Sequence, residues 1–141
     1  MTFSYKNTSV NFTSNGTGKA VVLLHGFLEN SYMWDLISEK LSKKYRIVCI
    51  DLFGHGVTEN HGYIHTMHEQ AEMVLAVLKH LRLRKYVLIG HSMGGYIALE
   101  IANLVPNNIK GLCLMNSTAL PDTEEKKINR DRAIVAVKQN H

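Results

Sequence analysis

The stretch Tyr86-Val87-Leu88-Ile89-Gly90-His91-Ser92-Met93-Gly94-Gly95 decides the fold. Its first four residues form a short apolar run that suits a buried strand. Residues 93–104 read as a helix, ended by Pro106, since the residue before a proline avoids the helical region. Ser92 therefore sits between a strand and a helix, with a glycine two places to either side. Small residues there let the chain bend without a clash. A bend of that kind throws the serine oxygen into open space above a sheet.

Working outward, Ala20-Val21-Val22-Leu23-Leu24 is a second apolar run, too short for a helix and rich in valine. It predicts a strand covered on both faces. His25-Gly26-Phe27 ends it. Tyr45-Arg46-Ile47-Val48-Cys49-Ile50 predicts a further buried strand, closed by Asp51-Leu52-Phe53-Gly54-His55-Gly56. Ile109 to Met115 predicts another. Residues 3–13 alternate weakly and suit one or two exposed antiparallel strands at a sheet edge. Between the strands lie helical segments. Ser31 is expected to cap one running to about Lys43, with Trp34, Leu36, Ile37 and Leu41 facing inward. Ala71, Val74, Leu75, Leu78 and Leu81 predict an amphipathic helix from about 66 to 82. Asp122-Thr123-Glu124-Glu125 resembles a capping box before a charged helix towards Gln139. The alternation of strands and helices implies an α/β fold, with a mostly parallel sheet and helices on both faces.

Taken together, Gly90-His91-Ser92-Met93-Gly94, His25-Gly26-Phe27 after an earlier strand and Asp51-Leu52-Phe53-Gly54-His55-Gly56 after another resemble the α/β-hydrolase family. The likeness is to its compact esterase-like branch, single-domain enzymes with a helical cap. It is dense from about residue 19 to 118. The resemblance implies that Ser92 is the nucleophile of a serine hydrolase, attacking a carboxylic ester or related small-molecule acyl substrate through an acyl-enzyme. It implies an oxyanion hole made by the backbone N–H groups of Phe27 and Met93, with both side chains lining the acyl pocket. The resemblance leaves amide, thioester and carbon–carbon bond cleavage open on the same turn. No cofactor and no metal are expected. Asp51 resembles the family's structural aspartate, and His25 reads as a hydrogen-bonding turn residue. Residues 1–120 are expected to be the N-terminal part of the core, and 121–141 the start of the cap.

In this family the acid and the histidine base follow later strands than the serine. No strand precedes His141, and His91 adjoins Ser92 on a strand end where neighbours point opposite ways. Asp122 follows a strand, but capping explains it better. The C-terminal core strands are thus expected to be absent, leaving this chain alone inactive and the strand from Ile109 a bare edge. The expected partner is the protein's own C-terminal half as a second fragment. The alternative is a non-catalytic α/β-hydrolase-like module that binds a partner at that edge.

Composition excludes other classes. The chain has 141 residues, 45% hydrophobic, and a net charge of +4. Its Lys and Arg residues are scattered, with no basic stripe, so a nucleic-acid partner is not expected. No apolar run is long enough to cross a membrane, and the first residues are not expected to act as a signal peptide, because no apolar stretch follows a basic start. Cys49 and Cys113 both lie in apolar runs and read as buried core thiols. The setting expected from these features is cytoplasmic. His61, His65 and His68 share a spacing that fits no zinc pattern.

Overall fold

The computed structural model describes residues 1–139; His141 lies outside the described residues. Six strands form one sheet: β1 (Thr2–Tyr5), β2 (Thr8–Asn15), β3 (Ala20–Leu24), β4 (Arg46–Ile50), β5 (Tyr86–His91) and β6 (Ile109–Met115). Four α-helices accompany them: α1 (Asp35–Leu41), α2 (Met67–His80), α3 (Met93–Leu104) and α4 (Glu124–Gln139). The sheet order is β1-β2-β4-β3-β5-β6. β3 pairs in parallel with both β4 and β5, and β5 with β6. β1 and β2 form an antiparallel ribbon that joins β4. This is the α/β architecture the alternation predicts. Among the described residues, no helix is long and apolar enough to cross a membrane.

The period-2 alternation of strand side chains divides the core into two layers. Val22 and Leu24 of β3 join Val48, Ile50 and Leu88 in a cluster covered by α2 and α3. Val21 and Leu23 point the other way and pack with Trp34, Ile47 and Cys49. A capping box starts α2: Thr66 Oγ1 accepts from Glu69 N–H, and Glu69 reaches back to Thr66 N–H.

Chain order and sheet order differ at β3. From β3 the chain moves to β4 on one side, then returns to β5 on the other. The loops leaving the carboxyl ends of β3 and β5 therefore diverge, and a crevice opens between them. Leu24 pairs with Gly90 at this point, so His25-Gly26-Phe27 and Ser92 are brought side by side.

Four sequence expectations are corrected. The segment after residue 30 is a 3-10 turn over Ser31–Trp34 followed by the short α1, and Asn30 caps it by accepting from Tyr32 N–H. Trp34, Ser38 and Leu41 form its inner face, so Leu36 and Ile37 are exposed. Cys113 is exposed, because β6 is the last strand on its side of the sheet among the described residues. At α4 the capping side chain belongs to Thr123, which accepts from Lys126 N–H, while Asp122 pairs with Arg130.

Two buried polar groups fix the loops that surround the crevice. Asp51 is fully buried and accepts from Ser31 N–H at 2.8 Å, Asn11 Nδ2 at 2.9 Å and Val57 N–H at 3.0 Å. Burial alone would raise its pKa; these hydrogen bonds outweigh that and hold it below the ordinary carboxylate value. His25, also fully buried, accepts Leu52 N–H at Nε2, so Nδ1 carries the proton and donates to Gly26 O at 2.7 Å. Burial pushes its pKa down, consistent with a neutral ring. Asp51→Ala strands three donors and should cost about 3–5 kcal/mol, read as a fall in the urea midpoint. For His25 the folded pKa lies below the unfolded value of about 6.5. Its contribution is therefore complete above that pH and is lost as pH falls towards the folded value. Melting temperature measured between pH 7.5 and 5.5 should fall more steeply in the wild type than in His25→Asn.

Candidate active site

Ser92 occupies the junction of β5 and α3 with φ 48° and ψ −112°. A non-glycine residue pays about 1–3 kcal/mol to sit in such a conformation. Its neighbours hold it there. Ser92 N–H donates to Met115 O at 2.9 Å, and Ser92 O accepts from Gly95 N–H at 3.0 Å and Ser117 Oγ at 2.8 Å. Both backbone groups are thus tied down, while the Ser92 hydroxyl has no hydrogen-bond partner among the described residues.

The flanking glycines are required by close approach. A Cβ on Gly90 would strike the Gly94 carbonyl, and one on Gly94 would strike Leu24 O and lie 2.6 Å from His25 O. Gly26 faces the same place from the other loop: a Cβ there would stand 3.2 Å from Ser92 Cβ and 2.6 Å from Glu29 Oε2. So Gly26 is needed for the packing of one loop against the other, in addition to any substrate it admits.

Phe27, Ser92 and Met93 line one cavity of about 670 Å³. Its apolar wall also includes Met67, Leu120 and Ile134, the last from α4. Phe27 is 56% exposed, its ring edge-on to His55 at 5.7 Å. The backbone N–H groups of Phe27 and Met93 have no acceptor among the described residues. Met93 begins α3, where the first N–H groups of a helix are free and carry its positive end. Arg130 of α4 spans the cavity rim, pairing with Asp122 at 2.7 Å and donating to Tyr96 OH at 3.2 Å.

Three other histidines are engaged elsewhere. His91 Nδ1 lies 2.8 Å from Glu29 Oε2. His61 bonds Thr8 Oγ1 and stacks on Phe53, and His68 pairs with Glu100. Among the described residues, no three metal-ligating side chains converge. Glu29, Tyr96 and Arg130 were not singled out by the sequence. Arg130 and Tyr96 meet across 34 positions, and no local spacing announces such a contact. Glu29 closes a four-residue turn that begins at Gly26, and its contact with His91 spans 62 positions.

A family model of the alpha/beta hydrolase fold matches residues 19–138. The dihydrolipoyllysine-residue acetyltransferase component of the acetoin cleaving system of Pseudomonas putida is 37% identical over 103 residues, covering 73% of this chain and 28% of that protein. The mesoderm-specific transcript homolog protein of Homo sapiens is 32% identical, over 95% of this chain and 45% of its own length. The solved structure of a thermophilic esterase from Thermogutta terrifontis superposes with a TM-score of 0.87 at 35% identity, over 96% of this chain and 51% of the esterase. The chain thus spans less than half the length of these curated relatives and about half of the esterase. With the sheet order and the turn at Ser92, the match across residues 19–138 shows that this chain belongs to the α/β-hydrolase fold family.

Proposed function

We propose that this chain carries the nucleophile half of a serine hydrolase acting on small apolar acyl esters. One observation carries the reading: a serine on a strained strand-to-helix turn, its hydroxyl without a partner among the described residues, in a cavity also lined by Phe27 and Met93, whose backbone N–H groups have no acceptor among the described residues. Ser92 Oγ adds to the ester carbonyl and gives up its proton to a base. The negative charge that develops on the carbonyl oxygen is taken by the N–H groups of Phe27 and Met93. Each such donor is worth about 2.7–4 kcal/mol in the transition state, and the positive end of α3 adds to it. Expulsion of the alcohol leaves an acyl-serine, which water then hydrolyses. The acyl group lies against Phe27, Met67, Met93 and Ile134.

No described residue is hydrogen-bonded to the Ser92 hydroxyl. In the family's chain order the acid and the base each follow a later strand than the serine, and the base and its acid partner are assigned to such positions. Residues 121–139 form the start of a helical cap, its α4 already roofing the cavity. The esterase likeness supports the ester class.

A fluorophosphonate probe tests the reading on the full-length protein that carries this sequence. The probe should modify Ser92, and Ser92→Ala should abolish labelling and lower hydrolysis of p-nitrophenyl butyrate by about 10³-fold or more. Labelling that survives in Ser92→Ala would remove Ser92 from the mechanism. A full-length protein that never labels favours the non-catalytic binding module instead.

A further inference from the structure

We infer that Glu29 is a positioning residue that locks the Phe27 loop against the turn bearing Ser92 and Met93; the catalytic half of this inference rests on the function proposed above. A single carboxylate oxygen joins the two loops. Glu29 Oε2 accepts Gly26 N–H at 2.7 Å and lies 2.8 Å from His91 Nδ1. Asn116 Nδ2 stands 3.5 Å from His91 Nε2, so the ring meets a donor there and offers its Nδ1 proton to Glu29. Burial raises the Glu29 pKa, but the hydrogen bonds from His91 and Gly26 outweigh it and keep the carboxyl below its ordinary value.

The Phe27 loop needs such a clamp. Gly26-Phe27-Leu28-Glu29 is a tight turn closed by Glu29 N–H on Gly26 O at 3.3 Å, a long bond. Leu28 has φ 60°, where turns of this kind prefer glycine. The backbone alone does not favour the conformation, and Leu28 is too exposed to be held by packing.

The clamp completes the fixing of both peptides beside Gly26, the second of which carries the Phe27 N–H. Gly26 O is fixed from one side by His25 Nδ1 and Glu29 N–H. No peptide bond of the described chain is cis, and in a trans peptide the C=O and the following N–H point opposite ways. The Phe27 N–H must therefore face away from His25. Glu29 holds the preceding peptide by its N–H, so the planes on both sides of Gly26 are fixed. Through His91, the same oxygen ties them to the residue that precedes Ser92. The peptide that carries the Phe27 N–H and the turn that leads into Met93 are thus held in register by one side chain that bonds neither N–H.

The test uses Glu29→Ala and Glu29→Gln in the full-length protein. Gln keeps a carbonyl oxygen for Gly26 N–H and separates the lost acceptor from the lost charge. With p-nitrophenyl butyrate, Glu29→Ala should lower kcat about 10- to 100-fold with KM little changed, because only the developing oxyanion uses the misplaced donor. Glu29→Gln should stay within about threefold of the wild type, since a neutral acceptor is roughly half as strong. A kcat in Glu29→Ala equal to the wild type, or a Gln variant as slow as Ala, overturns the inference. Amide hydrogen exchange at Gly26 reads the clamp without any turnover: it should quicken about tenfold or more in Glu29→Ala and hold in Glu29→Gln. Unchanged exchange in Glu29→Ala also overturns it, whether or not Ser92 reacts. If exchange quickens but the wild type never labels at Ser92, the function proposed above fails and the catalytic role of Glu29 fails with it.

Discussion

The close approach of α3 to the carboxyl ends of β3 and β5 is the constraint on which the site depends. Gly94 lies against the carbonyls of Leu24 and His25, and Gly90 against that of Gly94. Any side chain at these positions would push α3 outward. The helix could then no longer start immediately after Ser92, and the serine would relax out of its positive-φ conformation. The free N–H of Met93 and the positive end of α3 would move with it. The geometry of the site is thus a consequence of two missing Cβ atoms.

The strain at Ser92 is not relieved locally. It is opposed by hydrogen bonds from three directions: Met115 at the end of β6, Ser117 just beyond it, and Gly95 in α3 itself. Asp51 and His25 act in the same way one loop further out. Each is a fully buried polar group bonded to backbone N–H or C=O groups of the loops, Asp51 to the Asn11 side chain as well. Irregular loops have no ladder to satisfy their backbones, so side chains must do it. The rim of the crevice is therefore built from buried polar anchors, while the sheet beneath is apolar.

This division explains what the sequence disclosed. The strands were legible because Ala20–Leu24 and Tyr86–Ile89 are continuous apolar runs, and a strand buried on both faces needs nothing else. The Ser92 turn was legible because its glycines have fixed offsets. Asp51 was legible through its resemblance to the family's structural aspartate, and His25 as a hydrogen-bonding turn residue. Leu36 and Ile37 were misplaced because α1 is only seven residues long, too short for periodicity to choose between faces. Cys113 looked buried because an apolar run does not say how many neighbours its strand has. The pairing of Glu29 with His91 joins residues 62 positions apart, and only the adjacency of β3 and β5 brings them together.

The position of β6 ties the site to the far side of the sheet. β6 pairs with β5 on one edge, and nothing among the described residues pairs with the other. Leu112 and Cys113 are exposed there. Yet β6 supplies Met115 O to Ser92 N–H, and the residues after it place Asn116 near His91 and Ser117 on Ser92 O. A strand with one free edge opens more readily than a central one, because half its ladder is absent. Each opening of β6 would release the hydrogen bonds that hold Ser92 in its strained conformation. A strand added to the outer edge of β6 would therefore do more than cover apolar surface. It would stiffen the supports of the serine from behind, without touching the cavity.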